Sequence, residues 1–386
     1  MKILFCNFEY PPLGGGGGVV MAALARELAK RHEVTVLTSR AAGLPAESED
    51  SGVRVIRVPV FFRRTLDTAN FPSMLAYLPS AAWRTPSLAR ERPFDVVNTH
   101  FVVPTGPVGQ WIAHRCRVPN VLSVHGGDLY DPSKKMSPHR HSWLRRPIRR
   151  MLRSADVVVA QSNDTRDKVR RIYGVAREVE LIPLGIDRPP PMDCVGGSAF
   201  ELPPGAFKVV TIGRLVPRKQ TAQLVAAIAA SGIAHAHLLV VGSGPDEEPV
   251  RRAAADHGIA DRVHLLGRLA EGDKYRALAA ADLFASTSQH EGFGLVFLEA
   301  MACGLPIICY DHGGQVDYLE TGRTGHVLRL NDVQGFARAL REIAELPDRG
   351  RAIGAENRRL VEAHFIDRCA ARYERVFERA LADRHK

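Results

Sequence analysis

Short apolar runs alternate with amphipathic stretches along most of this chain. Met1–Cys6, Glu33–Thr38, Val53–Val58, Asp95–Thr99, Asn120–Val124 and Asp156–Ala160 read as strands. Helical patterns lie between several of them, most plainly Val19–Lys30. A second series follows, with strands expected at Phe207–Ile212, His237–Val241, Val263–Leu266, Leu283–Ser286 and Pro306–Tyr310. Such alternation predicts βα units around mainly parallel sheets. Between the two series stand Pro183-Leu184-Gly185-Ile186-Asp187, Pro189-Pro190-Pro191 and Gly196-Gly197, which sustain neither helix nor strand. The expected fold class is therefore α/β, with two Rossmann-like domains at residues 1–185 and 206–368 and a linker at 186–205. Two such domains would face each other across a cleft at their strand C-termini, where open α/β sheets bind ligands.

Composition narrows the class. A chain of 386 residues, 45% hydrophobic and 24% charged, suits a globular protein of two ordinary domains. No apolar run approaches the roughly 20 residues of a membrane-spanning helix. Met1-Lys2 before Ile3-Leu4-Phe5-Cys6 superficially suggests a signal peptide, but the run is short and Asn7 and Glu9 interrupt it. A buried first strand is the better reading. The six cysteines are scattered without a C-x-x-C pair, so reduced thiols in a cytoplasmic setting are expected. A formal charge of +10 favours anionic partners. No helix-turn-helix, zinc-finger or ribonucleoprotein-type aromatic motif directs that charge to nucleic acid.

Three segments carry candidate chemistry. In His290-Glu291-Gly292-Phe293-Gly294-Leu295-Val296-Phe297-Leu298-Glu299, a helix should start around Gly294 and stop at Cys303-Gly304-Leu305-Pro306. Eight positions along a helix span about 12 Å. Glu291 and Glu299 would then share neither a proton nor a metal, but would grip two ends of an extended ligand. Gly292 and Gly294 leave amide donors open at the helix N-terminus, a seat for phosphate. The second segment is Pro11-Pro12-Leu13 with five glycines, 14 to 18. A dinucleotide fingerprint would need glycine at Val19, and no acid ends the second strand, which argues against a dehydrogenase. Five successive glycines are costly to order, so this loop is expected to close on ligand. The third is Val124-His125-Gly126-Gly127-Asp128, a histidine directly after an apolar strand.

Glu291 to Glu299 resembles the signature of retaining glycosyltransferase family 4, the glycosyl transferases group 1, whose fold is GT-B. Gly213-Arg214-Leu215-Val216-Pro217-Arg218-Lys219, Val241-Gly242-Ser243-Gly244-Pro245 and Leu266-Gly267-Arg268 resemble further family segments, so the likeness covers nearly the whole chain. Pro183–Asp187 resembles the family's Pro-Asn-Gly-Val-Asp, with Leu184 where Asn is usual. The resemblance implies that Arg214 and Lys219 bind the donor diphosphate. One cation about 4 Å from the departing charge contributes roughly 4 kcal/mol at an effective dielectric of 20, before desolvation. By the same resemblance, Glu299 accepts from the ribose and Glu291 from the transferred sugar, with Gly292 and the amides of Phe293, Gly294 and Leu295 completing the seat. Gly15, Gly16 and Gly17 approach donor and acceptor from the N-terminal domain, and Arg268 is the candidate beside the base. His125 lies beside the reacting sugar, its backbone carbonyl stabilising oxocarbenium-like charge. Asp128 either orients that loop or takes part in acceptor binding. The last helix, 369–386, packs back on the first domain.

No D-x-D metal clamp is present, so cations and helix amides replace Mg²⁺, and neither a metal nor another cofactor is expected. Retention follows from the resemblance. With no clear covalent nucleophile, a front-face dissociative mechanism is expected, Glu291 as nucleophile being the sharper alternative. Lys134 to Arg153 contains eight Lys/Arg and no acid, with Leu144, Ile148, Met151 and Leu152 on one helical face and Trp143 beside them. That pattern fits an anionic-membrane surface, which Phe61-Phe62-Arg63-Arg64 and Phe71–Trp83 would extend. It fits equally a core-facing stripe with a solvated basic face. Pro147 allows a helix start and argues against one uninterrupted helix. The expected activity is hexosyl transfer from a UDP-, GDP- or ADP-sugar to a glycan or lipid-linked acceptor, in cell-surface polysaccharide or glycolipid synthesis at the inner face of the plasma membrane. A nucleotide-sugar epimerase or sugar phosphorylase of the same fold stays open. So does a silent nucleotide-sugar-binding subunit, although Arg214, Lys219, Glu291, Glu299 and His125 together argue against it.

Overall fold

The computed structural model describes residues 1–61, 63, 71–91, 93–132, 136–190 and 202–384. Phe62, Arg64, Lys134, Lys135 and the Pro191 and Gly196-Gly197 part of the linker lie outside the described residues. The chain forms two compact units, Met1–Asp187 with Phe365–Lys386, and Arg188–His364.

Among the described residues, the first unit is built on eight strands. They are β1 (Lys2–Cys6), β2 (Glu33–Arg40), β3 (Glu47–Asp50), β4 (Val53–Pro59), β5 (Val96–His100), β6 (Asn120–Val124), β7 (Val157–Ala160) and β8 (Glu180–Leu181). Their order is β3-β4-β2-β1-β5-β6-β7-β8, parallel except for the β3–β4 pair. The central β1 is apolar throughout because both of its faces are covered. Ile3 and Phe5 pack with helices α1 (Gly16–Ala29) and α12 (Ile366–Arg384). Leu4 and Cys6 pack on the other side, with α2 (Phe71–Glu91) and α3 (Gly106–Cys116). The edge strand β3 escapes a search for apolar periodicity because it is Glu-Ser-Glu-Asp. Its Glu47 is held instead by Arg54 and Arg84, each at 2.9 Å.

Four expectations need correction in this unit. Helix α1 begins at Gly16, so Gly16, Gly17 and Gly18 form its first turn and are not part of an open loop. A side chain at position 17 would sit 2.3 Å from the Phe101 ring, so glycine there serves close packing. Helix α4 (Ser142–Ser154) begins five residues before Pro147 and runs through it. Its stripe points inward, with Ile148 1% and Leu152 0% exposed among Val102, Leu122 and Val158. Arg145, Arg146, Arg149, Arg150 and Trp143 face solvent. The solvated-basic-face reading of this stretch therefore describes α4. Helix α12 starts at Ile366 rather than Cys369 and packs on α1. Ile186 is no linker residue either: its carbonyl accepts from Ile366 N at 2.8 Å.

The second unit holds a six-stranded parallel sheet among its described residues. Its strands are β9 (Phe207–Ile212), β10 (Ala236–Val241), β11 (Val263–Gly267), β12 (Leu283–Ser286), β13 (Ile307–Tyr310) and β14 (Gly325–Leu328). The order β11-β10-β9-β12-β13-β14 reverses between β9 and β12. That reversal is the topological switch point of a doubly wound sheet, and the loops leaving β9 and β12 meet there. Strand β14 was not expected; it is four residues long, begins with glycine and lies at the sheet edge.

Candidate active site

The β9 and β12 loops are tied together by one backbone and one side-chain hydrogen bond. Gln289 N donates to Arg218 O at 2.8 Å, and Thr287 Oγ1 donates to Gln220 O at 2.8 Å. This brings Glu291 to Lys219 Nζ at 2.5 Å and to Arg218 Nη1 at 3.3 Å, with all three side chains at least three-quarters covered. Burial pushes the Glu291 carboxyl up, but Lys219 and Arg218 outweigh it and hold it at about 2. Glu291 is therefore a carboxylate at neutral pH. Desolvation draws the Lys219 ammonium below its ordinary value, against the pull of Glu291. Arg218 also donates to the His290 carbonyl and reaches Ser288 Oγ at 3.4 Å.

The turn after β10 supports this arrangement from beneath. Gly213 N donates to Val241 O at 2.9 Å and Leu215 N to Ser243 O at 3.0 Å. A Cβ on Gly242 would fall 1.9 Å from the Gly213 carbonyl oxygen, so the two turns require backbone on backbone here. Arg214 is exposed and forms no ion pair among the described residues, and Arg268 is exposed after β11.

Helix α9 (Leu295–Ala302) is capped by Gly294, and its first-turn amides have no carbonyl within the helix to bond. Tyr318 Oη lies 2.8 Å from the carbonyls of both Phe293 and Gly294 and fixes the entry to this turn. Glu291 is not on the helix, contrary to the spacing argument: it forms a bridge with Gly313, and Gly314 N donates to its carbonyl at 2.8 Å. The two glutamates therefore differ in setting. Glu299, one turn into α9, lies 3.0 Å from Lys274 of helix α8 (Glu271–Ala280). Burial raises its carboxyl above the ordinary value even though Lys274 opposes the shift.

In the first unit, His125 follows β6 and is 8% exposed. Its Nε2 lies 2.9 Å from His100 Nδ1, whose Nε2 lies 2.8 Å from Asn98 Oδ1. Burial lowers His125 to about 4, and His100 falls well below its ordinary value, so both rings are neutral at pH 7. The His125 carbonyl accepts from Gly127 N at 3.0 Å and from Gln161 Nε2 at 2.6 Å. Both lone pairs are thus engaged within the fold, whereas the resemblance had the carbonyl facing the reacting sugar. Asp128 braces this loop: Oδ1 accepts from His125 N at 3.0 Å and Oδ2 from Val102 N at 2.7 Å. Gly15 caps α1 with its amide on Glu9 Oε2 at 3.2 Å, and Gly16 and Gly17 follow in the first turn.

Arg218, Lys274, Tyr318, His100, Asn98 and Gln161 were not assigned from sequence. Arg218 stands inside the Gly213–Lys219 segment, and His100 ends an apolar strand much as His125 follows one. Those were usable signals. Nothing local marked Lys274 or Tyr318.

Residues 14–188 match the family model "Glycosyltransferase Family 4" and residues 198–360 match "Glycosyl transferases group 1". A GDP-mannose-dependent alpha-(1-6)-phosphatidylinositol monomannoside mannosyltransferase of Mycolicibacterium smegmatis is 28% identical, over 92% of each chain. A D-inositol 3-phosphate glycosyltransferase of Nocardia farcinica is 30% identical over 88% of this chain and 79% of the relative. The structure of sucrose-phosphate synthase (tll1590) from Thermosynechococcus elongatus superposes with a TM-score of 0.83 at 23% identity, covering 99% of this chain and 100% of that one. With two doubly wound units of this architecture and matches across both, the chain belongs to the group 1 glycosyl transferases of family 4, enzymes of the GT-B fold.

Proposed function

We propose that the chain transfers a hexose from a nucleotide sugar to an inositol-bearing glycan or lipid acceptor, with retention and without a metal ion. GDP-mannose is the first donor to test, ahead of UDP- and ADP-sugars, because a relative alike over 92% of each chain is named for it. The observation that carries the reading is the buried Glu291 carboxylate, gripped by Lys219 and Arg218 between the switch-point loops, just before the amide-bearing start of α9. An anionic diphosphate suits the amides together with Arg214, Lys219 and Arg218, and Glu291 accepts from sugar hydroxyls. Glu299, positioned by Lys274, receives the ribose hydroxyls. Arg268 borders the base. Among the described residues no group of three or more His, Cys, Asp or Glu is placed to hold a metal ion.

The test is transfer from a donor panel to inositol phosphate and phosphatidylinositol mannoside acceptors in EDTA. Transfer with retained anomeric configuration is expected; activity lost in EDTA and restored by Mg²⁺ would sink the metal-free part. A lipid-linked acceptor implies work at the cytoplasmic face of an anionic membrane. Exposed Arg145, Arg146, Arg149 and Arg150 with Trp143, 54% exposed, favour an electrostatic contact there, because the apolar stripe of α4 is spent on the core. Flotation with anionic vesicles at low salt checks it, and no binding would refute it. Among the described residues, no helix is long and apolar enough to cross a membrane.

A further inference from the structure

A chain of hydrogen bonds in the first unit dictates where the hydrogens of His125 sit. Asn98 places Nδ2 2.9 Å from the Val121 carbonyl, which can only accept, and 3.1 Å from Ser123 Oγ. Its Oδ1 therefore faces His100, and His100 Nε2 must carry the hydrogen between them. Neutral His100 then offers a bare Nδ1, so the hydrogen in the next bond belongs to His125 Nε2. The Phe5 and Tyr373 rings pack against His100 at centroid distances of 5.5 and 6.3 Å, and hold it in register.

What remains on His125 is a bare Nδ1, buried and without a partner among the described residues. The Gln161 side chain lies against the same residue. Its Nε2 is committed to the His125 carbonyl, so its Oε1 is left as a second buried acceptor without a donor. Two adjacent acceptors with no hydrogen between them carry an unpaid desolvation cost that one O–H group would relieve.

We propose that Asn98 and His100 are positioning residues that lock His125 as its Nε2–H tautomer, so that His125 Nδ1 and Gln161 Oε1 receive an O–H donor, a hydroxyl of the bound nucleotide sugar. The substrate half rests on the function proposed above; the tautomer half does not. A proton on Nδ1 would satisfy both acceptors too, but burial holds His125 neutral at working pH. The Phe101 ring packs at a tilt against His125, centroids 4.4 Å apart, and abuts the glycine turn of α1, which places this acceptor pair beside the first-unit residues expected near the donor.

The experiment uses the full chain labelled with ¹⁵N-histidine, because ring-nitrogen shifts separate protonated from bare nitrogens. Wild type should show His125 with a protonated Nε2 and a bare Nδ1. A protonated Nδ1, or exchange between tautomers, would overturn the lock. His100→Phe and Asn98→Leu should release His125 into exchange, whereas His100→Gln, which still offers an acceptor oxygen, should keep the tautomer; unchanged spectra in both disruptive variants would overturn the relay. Saturating nucleotide sugar should move the Nδ1 resonance, and an unmoved one would assign the acceptor pair to resident water and overturn its substrate role. Among monodeoxy donors, one should lose about tenfold in kcat/KM against wild type and nothing further against His100→Phe, the worth of a single neutral hydrogen bond. Equal penalties in both proteins would refute the coupling. Absence of transfer with every donor, alongside the expected spectra, would instead refute the proposed function and leave the lock standing.

Discussion

Two buried networks face opposite problems. Around Glu291 the second unit keeps a charge out of water and answers it with Lys219 and Arg218. Around His125 the first unit keeps a charge from forming: both histidines are neutral, and hydrogen-bond polarity alone orders them. The ionic network suits a charged, departing nucleotide. The neutral one suits a sugar, which offers hydroxyls and carries no net charge. Burial serves both, since low polarity strengthens a paired charge and equally penalises an unpaired one.

Removing a partner should break the ionic network first. In Glu291→Gln, Lys219 and Arg218 are left facing a neutral amide, and unfolding free energy in urea should fall by about 3–5 kcal/mol. Transfer should drop by at least about a hundredfold in the same variant. Retained stability would show that the buried pair adds nothing. Acid separates the networks next. The folded His125 value, about 4, is below its ordinary 6.5, so the unfolded chain takes up protons first. Stability present above pH 6.5 should be lost as pH falls toward 4, on the order of 3 kcal/mol for such a histidine. Glu291, ordinarily at 4.5 and held at about 2, adds a separate loss between those values. Urea melts across this range should show His125→Asn reducing the loss in the upper window only, where buried His100 still contributes, and Glu291→Gln reducing the lower only. A common window would erase the distinction.

His125→Ala should lower kcat/KM about a hundredfold, roughly 2.7 kcal/mol, while the thermal shift given by free GDP or UDP is unchanged. A lost nucleotide shift would place His125 in nucleotide binding and blur the contrast. Tyr318→Phe is the mildest cut. It frees the carbonyls before α9 and should cost about 1 kcal/mol of stability with a small rise in donor KM. An unchanged KM would mean that the start of α9 needs no such brace.

Much of the fold was legible in the chain because strands report themselves locally. Asn120–Val124 and Leu283–Ser286 are short apolar runs that any parallel sheet would bury, and their bounds agree residue for residue. Glu47–Asp50 was illegible for the complementary reason: an edge strand buried on neither face needs no apolar period. The glycines at 16–18 misled because their composition signals freedom, whereas contact with Phe101 and the helix behind them decides their state.

The sequence by itself determined two alternating α/β series, a helix start after Gly294, and a histidine at the end of an apolar strand. These are properties of neighbours along the chain, governed by period and capping. Only the tertiary structure decided who answers each polar group. Lys219 and Glu291 lie 72 positions apart, and His100 and His125 lie 25 apart. Their meeting depends on which strands adjoin and which loops leave the same sheet edge. The physical reason is that a buried charge or lone pair must find its partner in space, and strand order, not local pattern, supplies it.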